Sequence, residues 1–164
     1  MILLAIDPGN KQSGYVLVEV IDGKINRVLD KGKVSNRELL DIIELRCLEI
    51  TDVAIEMVAS YGMAVGATVF DTCVWIGRFM QQVKTFIPDA DMHRIYRKDE
   101  KITICGSMKA KDSNIRQALV DIYAPGEDNY GKGTKDNPGF FYGFKSDIWQ
   151  AFAVAHTYVE KYGF

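Results

Sequence analysis

Three carboxylates in this sequence stand where a carboxylate is costly. Asp7 ends an apolar run over residues 1–6, Glu56 ends the apolar run 53–55, and Asp147 opens the last apolar-periodic segment. Both runs are short, and Pro8-Gly9 stops the first, so each reads as a buried strand rather than a helix. If the two strands pair in parallel, Asp7 and Glu56 lie side by side at one end of a sheet. Asp147 shares a helical face with Ala151, Val154 and Tyr158, and that face must turn inward to cover the sheet. Withdrawing each ionised carboxylate from water costs several kcal/mol unless it is compensated, and clustering like charges adds to the cost. A divalent cation is the simplest compensation, and oxygen ligands of this kind suit Mg²⁺ or Mn²⁺. Taken singly, each residue has an ordinary structural reading. Asp7 could be a turn residue, Glu56 a strand-end charge, and Asp147 a first-turn carboxylate stabilised by about 0.3–1 kcal/mol. Their coincidence on converging elements favours a site.

Bringing these groups together requires a particular order of elements. Residues 1–6, 15–21 and 25–34 read as three strands of a meander, with Asp22-Gly23 as the tight turn of its second hairpin. Ser35-Asn36-Arg37-Glu38 is a capping box, followed by Leu39, Ile42, Ile43 and Cys47 at helical spacing. Residues 52–56 form the next strand, parallel to the first if that helix is a crossover. Val69, Cys73, Ile76, Met80 and Val83 define the core stripe of a long helix, with Trp75 and Phe79 on a neighbouring face available to a second subunit. A strand at 91–95 and a helix around Ile115, Ala118, Leu119 and Ile122 follow, the helix capped by Asp112 or Ser113. Residues 124–145 hold five glycines and two prolines without any period, so a functional or mobile loop is expected there. A final helix runs from 146 to about 161. The expected fold class is α/β: one domain over 1–164, with a mixed five-stranded sheet of three antiparallel strands and then parallel strands, flanked by helices.

Composition sets outer bounds. Hydrophobic residues make up 48% and charged residues 26%, a globular balance that excludes a disordered chain. No apolar run approaches the roughly 18 residues of a membrane span, so no membrane partner is expected. No export leader is evident, which makes a cytoplasmic protein the expectation. Cys47, Cys73 and Cys105 contain no Cys-x-x-Cys pair and read as buried free thiols, and His93 and His156 lack ligand spacing, so zinc is not expected. Charge is uneven along the chain. Up to residue 91 there are 13 acidic and 9 basic side chains, and beyond it 9 acidic and 11 basic. Arg94, Arg97, Lys98, Lys101, Lys109, Lys111 and Arg116 face only Asp99, Glu100 and Asp112 between 94 and 116. A basic stretch inside an acidic protein is a candidate phosphate-binding surface.

Ala5-Ile6-Asp7-Pro8-Gly9 with Ser13-Gly14-Tyr15, then Ala54-Ile55-Glu56, then Ala151-Phe152-Ala153-Val154-Ala155 after Asp147 resemble the RuvC-type Holliday-junction resolvases. Trp75-Ile76-Gly77-Arg78-Phe79 and Tyr142-Gly143-Phe144-Lys145 resemble recurring blocks of their bacteriophage branch. The resemblance covers nearly the whole chain in the same order. It implies a ribonuclease H-like fold and a homodimeric, Mg²⁺-dependent endonuclease that cuts branched DNA, with Mn²⁺ able to substitute and no nucleotide cofactor. By the same resemblance Asp7, Glu56 and Asp147 are catalytic metal ligands. Two ions per site, about 3.5–4 Å apart, would stabilise the attacking water and the leaving 3′-oxygen and yield a 5′-phosphate. Lys101 matches a lysine that contacts phosphate, Lys109 or Lys111 lies near a second, and Arg116, Lys132 and Lys135 are further DNA-binding candidates.

One departure stands out. Cellular members of the family carry an acidic residue three positions after the Asp147 equivalent, and here that position is Gln150, a neutral and weaker oxygen ligand. Asp71 is a weak substitute, its place on its helix being unfixed by the pattern. No base-reading side chain is evident, so recognition of shape by two dimer-related basic surfaces is expected, with relaxed sequence specificity. Four-way junctions, forks and flaps are the expected substrates, in phage recombination, packaging or other DNA processing within the host cytoplasm. Three other functions compete: a junction-binding protein with weak catalysis, a nuclease for RNA–DNA hybrids, and an actin-like ATPase. The last needs two duplicated domains, for which this chain is too short.

Overall fold

The computed structural model describes residues 1–163. Strands β1 (Ile2–Asp7), β2 (Gln12–Ile21) and β3 (Lys24–Ser35) form an antiparallel meander, and β4 (Asp52–Met57) and β5 (Asp91–Tyr96) extend it in parallel. The sheet order is β3-β2-β1-β4-β5, a mixed five-stranded sheet of three antiparallel and then parallel strands as the sequence predicts. Asp22 and Gly23 both adopt positive φ, 50° and 70°, the tight-turn geometry that matches the twist of the flanking strands.

Period-two alternation sends the sheet's side chains into two separate cores. Leu4, Ile6, Leu17, Val53 and Ile55 meet Leu39 and Ile43 of α1 (Asn36–Leu45) and Ile76, Phe79 and Val83 of α2 (Ala67–Phe86). Leu3, Ala5, Val16, Val18 and Ala54 face the other way, onto α5 (Asp147–Tyr162). Ser35 caps α1 by accepting from the Glu38 N–H, as the capping box implies. α5 is buried almost all round from Ile148 to Val159, because α3 (Arg97–Cys105), α4 (Asp112–Tyr123) and the loop before α5 cover its outer side.

Several expectations change here. α3 has no counterpart in the sequence reading, because its only buried residue is the charged Glu100 and it therefore carries no apolar period. On α2 the buried stripe is Thr72, Ile76, Phe79 and Val83, so Phe79 is core and not a second face. Val69, Cys73 and Met80 are only half-buried, since Thr72 takes the inward position in the second turn. The N-cap of α4 is Lys111 rather than Asp112 or Ser113. The Lys111 N–H donates to Asn114 Oδ1 at 2.9 Å, which starts the helix one residue earlier than the pattern suggests. The loop 124–145 contains a short 3-10 turn, Asn129–Gly131, and an isolated antiparallel bridge between Gly133 and Pro138. It is anchored and not free, because Phe141 and Phe144 are buried against Trp149 and Phe152. The three cysteines are unpaired and half-buried rather than buried. No helix among the described residues is long and apolar enough to cross a membrane.

Candidate active site

Alternation fixes the direction of the first two carboxylates. Leu3 and Ala5 point toward α5, so Asp7 does as well, and Ala54 does the same for Glu56. β1 and β4 are in register through Ile6 and Ile55, which sets Asp7 beside Glu56 one residue further on. The chain beyond Asp7 is fastened by polar contacts. The Gly9 N–H donates to Ser13 Oγ, that hydroxyl donates to Asn36 Oδ1 at 2.6 Å, and Asn36 Nδ2 donates back to the Gly9 carbonyl.

The third carboxylate arrives with the N-terminus of α5. Asp147 lies over Gly14, the β2 partner of Asp7. A Cβ at Gly14 would fall 2.5 Å from the Asp147 carbonyl oxygen, so only glycine lets the helix come this close. Ser146, the residue before, is held at φ 48° and ψ −133°, a sparsely populated region that usually marks a functional constraint.

Asp7, Glu56, Asp147 and Gln150 line one cavity of about 410 Å³, together with Arg97, Asp112, Arg116, Ser146 and Trp149. The structure therefore brings together the three carboxylates and the glutamine singled out in the sequence. Of the six DNA-contact candidates, only Arg116 reaches this cavity, its guanidinium 5.5 Å from the Trp149 ring and 5.8 Å from that of Tyr130. Lys101 is half-buried on α3, Lys109 and Lys111 are exposed between α3 and α4, and Lys132 and Lys135 lie on the loop before α5. None of these five lines the cavity. Asp71 is exposed on α2 and does not line it either.

The residues missed by the sequence reading come from α3 and the start of α4. Glu100 is completely buried. Its Oε2 accepts from Arg97 Nη1 at 2.9 Å and from the Gln150 side-chain amide, while its Oε1 is buried without a partner. The same Gln150 Nε2 donates to Glu56 Oε2 at 3.3 Å, and Arg97 Nη2 also pairs with Asp112. Glu100, an acidic residue inside the basic stretch 94–116, was the available signal, but without a visible helix nothing directed it inward.

The electrostatics follow from crowding. Burial first, and then the charge of Glu56 and the close approach of its carboxyl, push the Asp7 carboxyl far above its ordinary range. Glu56 is also raised, by burial and then by the Glu100 charge, with the Asp7 hydrogen bond opposing. Burial raises Glu100 to about 8 against the pull of Arg97. A set of carboxylates that must retain protons in order to coexist matches a hard divalent cation in charge and donor type. Asp147 is the outlier, since it pairs with Lys33 Nζ at 2.8 Å. Among the described residues, no group of three His, Cys, Asp or Glu side chains stands close enough together to hold a metal ion. The Lys33–Asp147 pair is more than one-third exposed on both sides. Pairs of that kind are worth about 0–1 kcal/mol, so Asp147 can turn inward at small cost.

No family model and no curated protein sequence matches this chain. Solved structures do. Thermus thermophilus RuvC in complex with a Holliday junction substrate superimposes with a TM-score of 0.69 at 19% identity, covering 99% of this chain and 95% of that one. A further structure of Thermus thermophilus RuvC gives 0.64 at 17%, covering 96% and 92%. The Fowlpox virus resolvase in complex with Holliday junction DNA gives 0.52 at 15%, covering 98% of each chain. The likeness extends over the whole chain and establishes its architecture: the ribonuclease H-like fold in the form found in RuvC-type resolvases.

Proposed function

We propose that this chain is a divalent-metal-dependent endonuclease that hydrolyses phosphodiester bonds in branched DNA, four-way junctions first among them. The observation that carries the reading is the convergence of Asp7, Glu56 and Asp147 on one cavity, in a fold whose solved relatives include two complexes with Holliday junction DNA. Asp7, Glu56, Asp147 and the Gln150 amide oxygen are the groups that would hold Mg²⁺ or Mn²⁺, two ions per site. Such ions supply Lewis-acid stabilisation of a phosphate and of its leaving oxygen. The protein's own part is to position the DNA. Arg97, clamped between Glu100 and Asp112, presents a fixed guanidinium at the cavity wall, and Arg116 presents a second. Lys101, Lys109, Lys111, Lys132 and Lys135 extend the basic surface beyond the cavity and would hold the sugar–phosphate backbone without reading bases. The sequence blocks shared with the bacteriophage branch support a role in phage recombination or DNA processing, in the host cytoplasm.

The test is cleavage of an end-labelled four-way junction with and without Mg²⁺, beside Asp7→Asn. Symmetric nicks that need the metal and vanish in the variant, with junction binding retained by both proteins, are expected. Equal cutting of linear duplex removes the structure selectivity, and preferential cutting of an RNA–DNA hybrid makes the protein a hybrid nuclease. The neutral Gln150 in the cavity lining, where an acidic ligand would bind a cation more strongly, favours a second reading, a junction-binding protein without efficient catalysis. Tight binding with no nicks in Mg²⁺ or Mn²⁺ establishes that one.

A further inference from the structure

The hydrogen bonds around Gln150 point inward to a residue that never touches the cavity. A side-chain amide has two N–H donors and one carbonyl acceptor. Both donors of Gln150 are directed at carboxylates, Glu56 Oε2 and Glu100 Oε2. Among the described residues no protein group donates to its Oε1, which leaves that oxygen on a residue lining the cavity. Glu100 is the only one of the three partners that is completely buried. Its Oε2 gathers both Gln150 and Arg97, residues that themselves line the cavity from α5 and α3. A fully buried carboxylate with one orphaned oxygen is expensive to maintain for packing alone.

We propose that Glu100 is the positioning residue of this site, orienting the Gln150 amide so that its Oε1 faces the cavity beside Asp7 and Glu56. The inference rests on the metal-dependent reading given above. The amide is a poor ligand unless it is oriented, because rotation by half a turn would present N–H groups to a cation. With both N–H groups committed to Glu56 and Glu100, only the oxygen is left to face it. Glu100 thereby also joins α3 to α5, and any shift of one helix against the other moves the ligand. Groups that orient a metal ligand from behind typically change affinity by about 10–100-fold when removed.

The experiment is a double-mutant cycle read by calorimetric titration with Mn²⁺ on the full chain: wild type, Glu100→Met, Gln150→Met and the double variant. Methionine keeps the volume and removes the hydrogen-bonding groups. Glu100→Met is expected to bind Mn²⁺ about tenfold more weakly. The double variant is expected to bind no more weakly than Gln150→Met alone, because Glu100 acts through Gln150. Melting in EDTA separates this from a folding defect, which would lower the melting temperature and leave the affinity of the folded protein intact. Wild-type affinity in Glu100→Met, or losses that add in the double variant, overturn the inference while leaving the metal-dependent reading in place. No Mn²⁺ binding by the wild type overturns both. If Glu100→Met fails to fold, the ¹⁵N spectrum of the wild type carries the test. Well-separated, slowly exchanging Gln150 side-chain amide protons support the inference, and solvent-averaged ones overturn it.

Discussion

Burial and mutual repulsion raise the proton affinities of Asp7, Glu56 and Glu100 together, and this couples stability to pH with a definite sign. Each folded carboxyl holds a proton that the unfolded chain releases near its ordinary value of about 4. The contribution to stability is therefore complete below about pH 4 and is lost as pH rises through the folded values, about 7 for Glu56, about 8 for Glu100 and about 9 for Asp7. In EDTA the melting temperature should fall between pH 6 and 9, by a few degrees for a loss on the order of 2 kcal/mol. Mn²⁺ should reverse the slope, because the cation replaces protons and binds better as the carboxylates ionise. Differential scanning calorimetry at several pH values, with and without Mn²⁺, measures both effects. A melting temperature that rises with pH in EDTA would contradict the crowding of these side chains.

At the scale of elements, the site depends on how closely α5 approaches β2. Gly14 is the contact point, with the Asp147 carbonyl carbon 2.7 Å and its Cβ 2.9 Å from where a methyl would stand. Gly14→Ala should displace the start of α5, cost about 1–3 kcal/mol, and weaken Mn²⁺ binding because Asp147 moves with the backbone. Thermal melting and Mn²⁺ titration of that variant check the two effects together. The elements that build this contact were legible from residues. β1 and β4 are apolar runs ending in acids, and Ala151, Val154 and Tyr158 give α5 its inward face. That pattern put Asp7, Glu56 and Asp147 at one place without any structure. α3 was illegible for a physical reason: Glu100 is its one fully buried residue and no side chain caps it, so neither an apolar stripe nor a cap announces it. With the helix invisible, Glu100 looked like one acid in a basic stretch. The rotation of the α2 stripe has a related cause, since Thr72 is a core residue by burial and a polar residue by type.

At the scale of the whole molecule, the proposed function asks for two cuts on opposing strands of a junction, whereas among the described residues Asp7, Glu56 and Asp147 line one cavity. α2 carries the exposed apolar face that is the candidate for bringing two chains together. Phe70 and Val74 are exposed by 61% and 62%, one turn apart on the same face. Gly77 continues that face with open space around it, which lets another backbone approach. Tyr61 and Met63, just before the helix, are exposed as well. Such a run of large apolar groups is the kind of surface that takes a partner, and on the proposed function a second copy of the chain would supply the second cavity. If two chains pair through this face, Phe70→Asp combined with Val74→Asp should turn that dimer into a monomer in light scattering, with the melting temperature lowered only by the loss of association, because neither side chain belongs to the core. Mn²⁺ affinity per chain should stay the same, since α2 contributes nothing to the cavity wall. Junction cleavage should change in kind rather than vanish. Paired nicks on opposing strands should give way to single, unpaired ones, which a cruciform plasmid distinguishes as linear against nicked-circular product. A monomeric wild type, or paired cutting by the monomeric variant, would remove α2 from the mechanism.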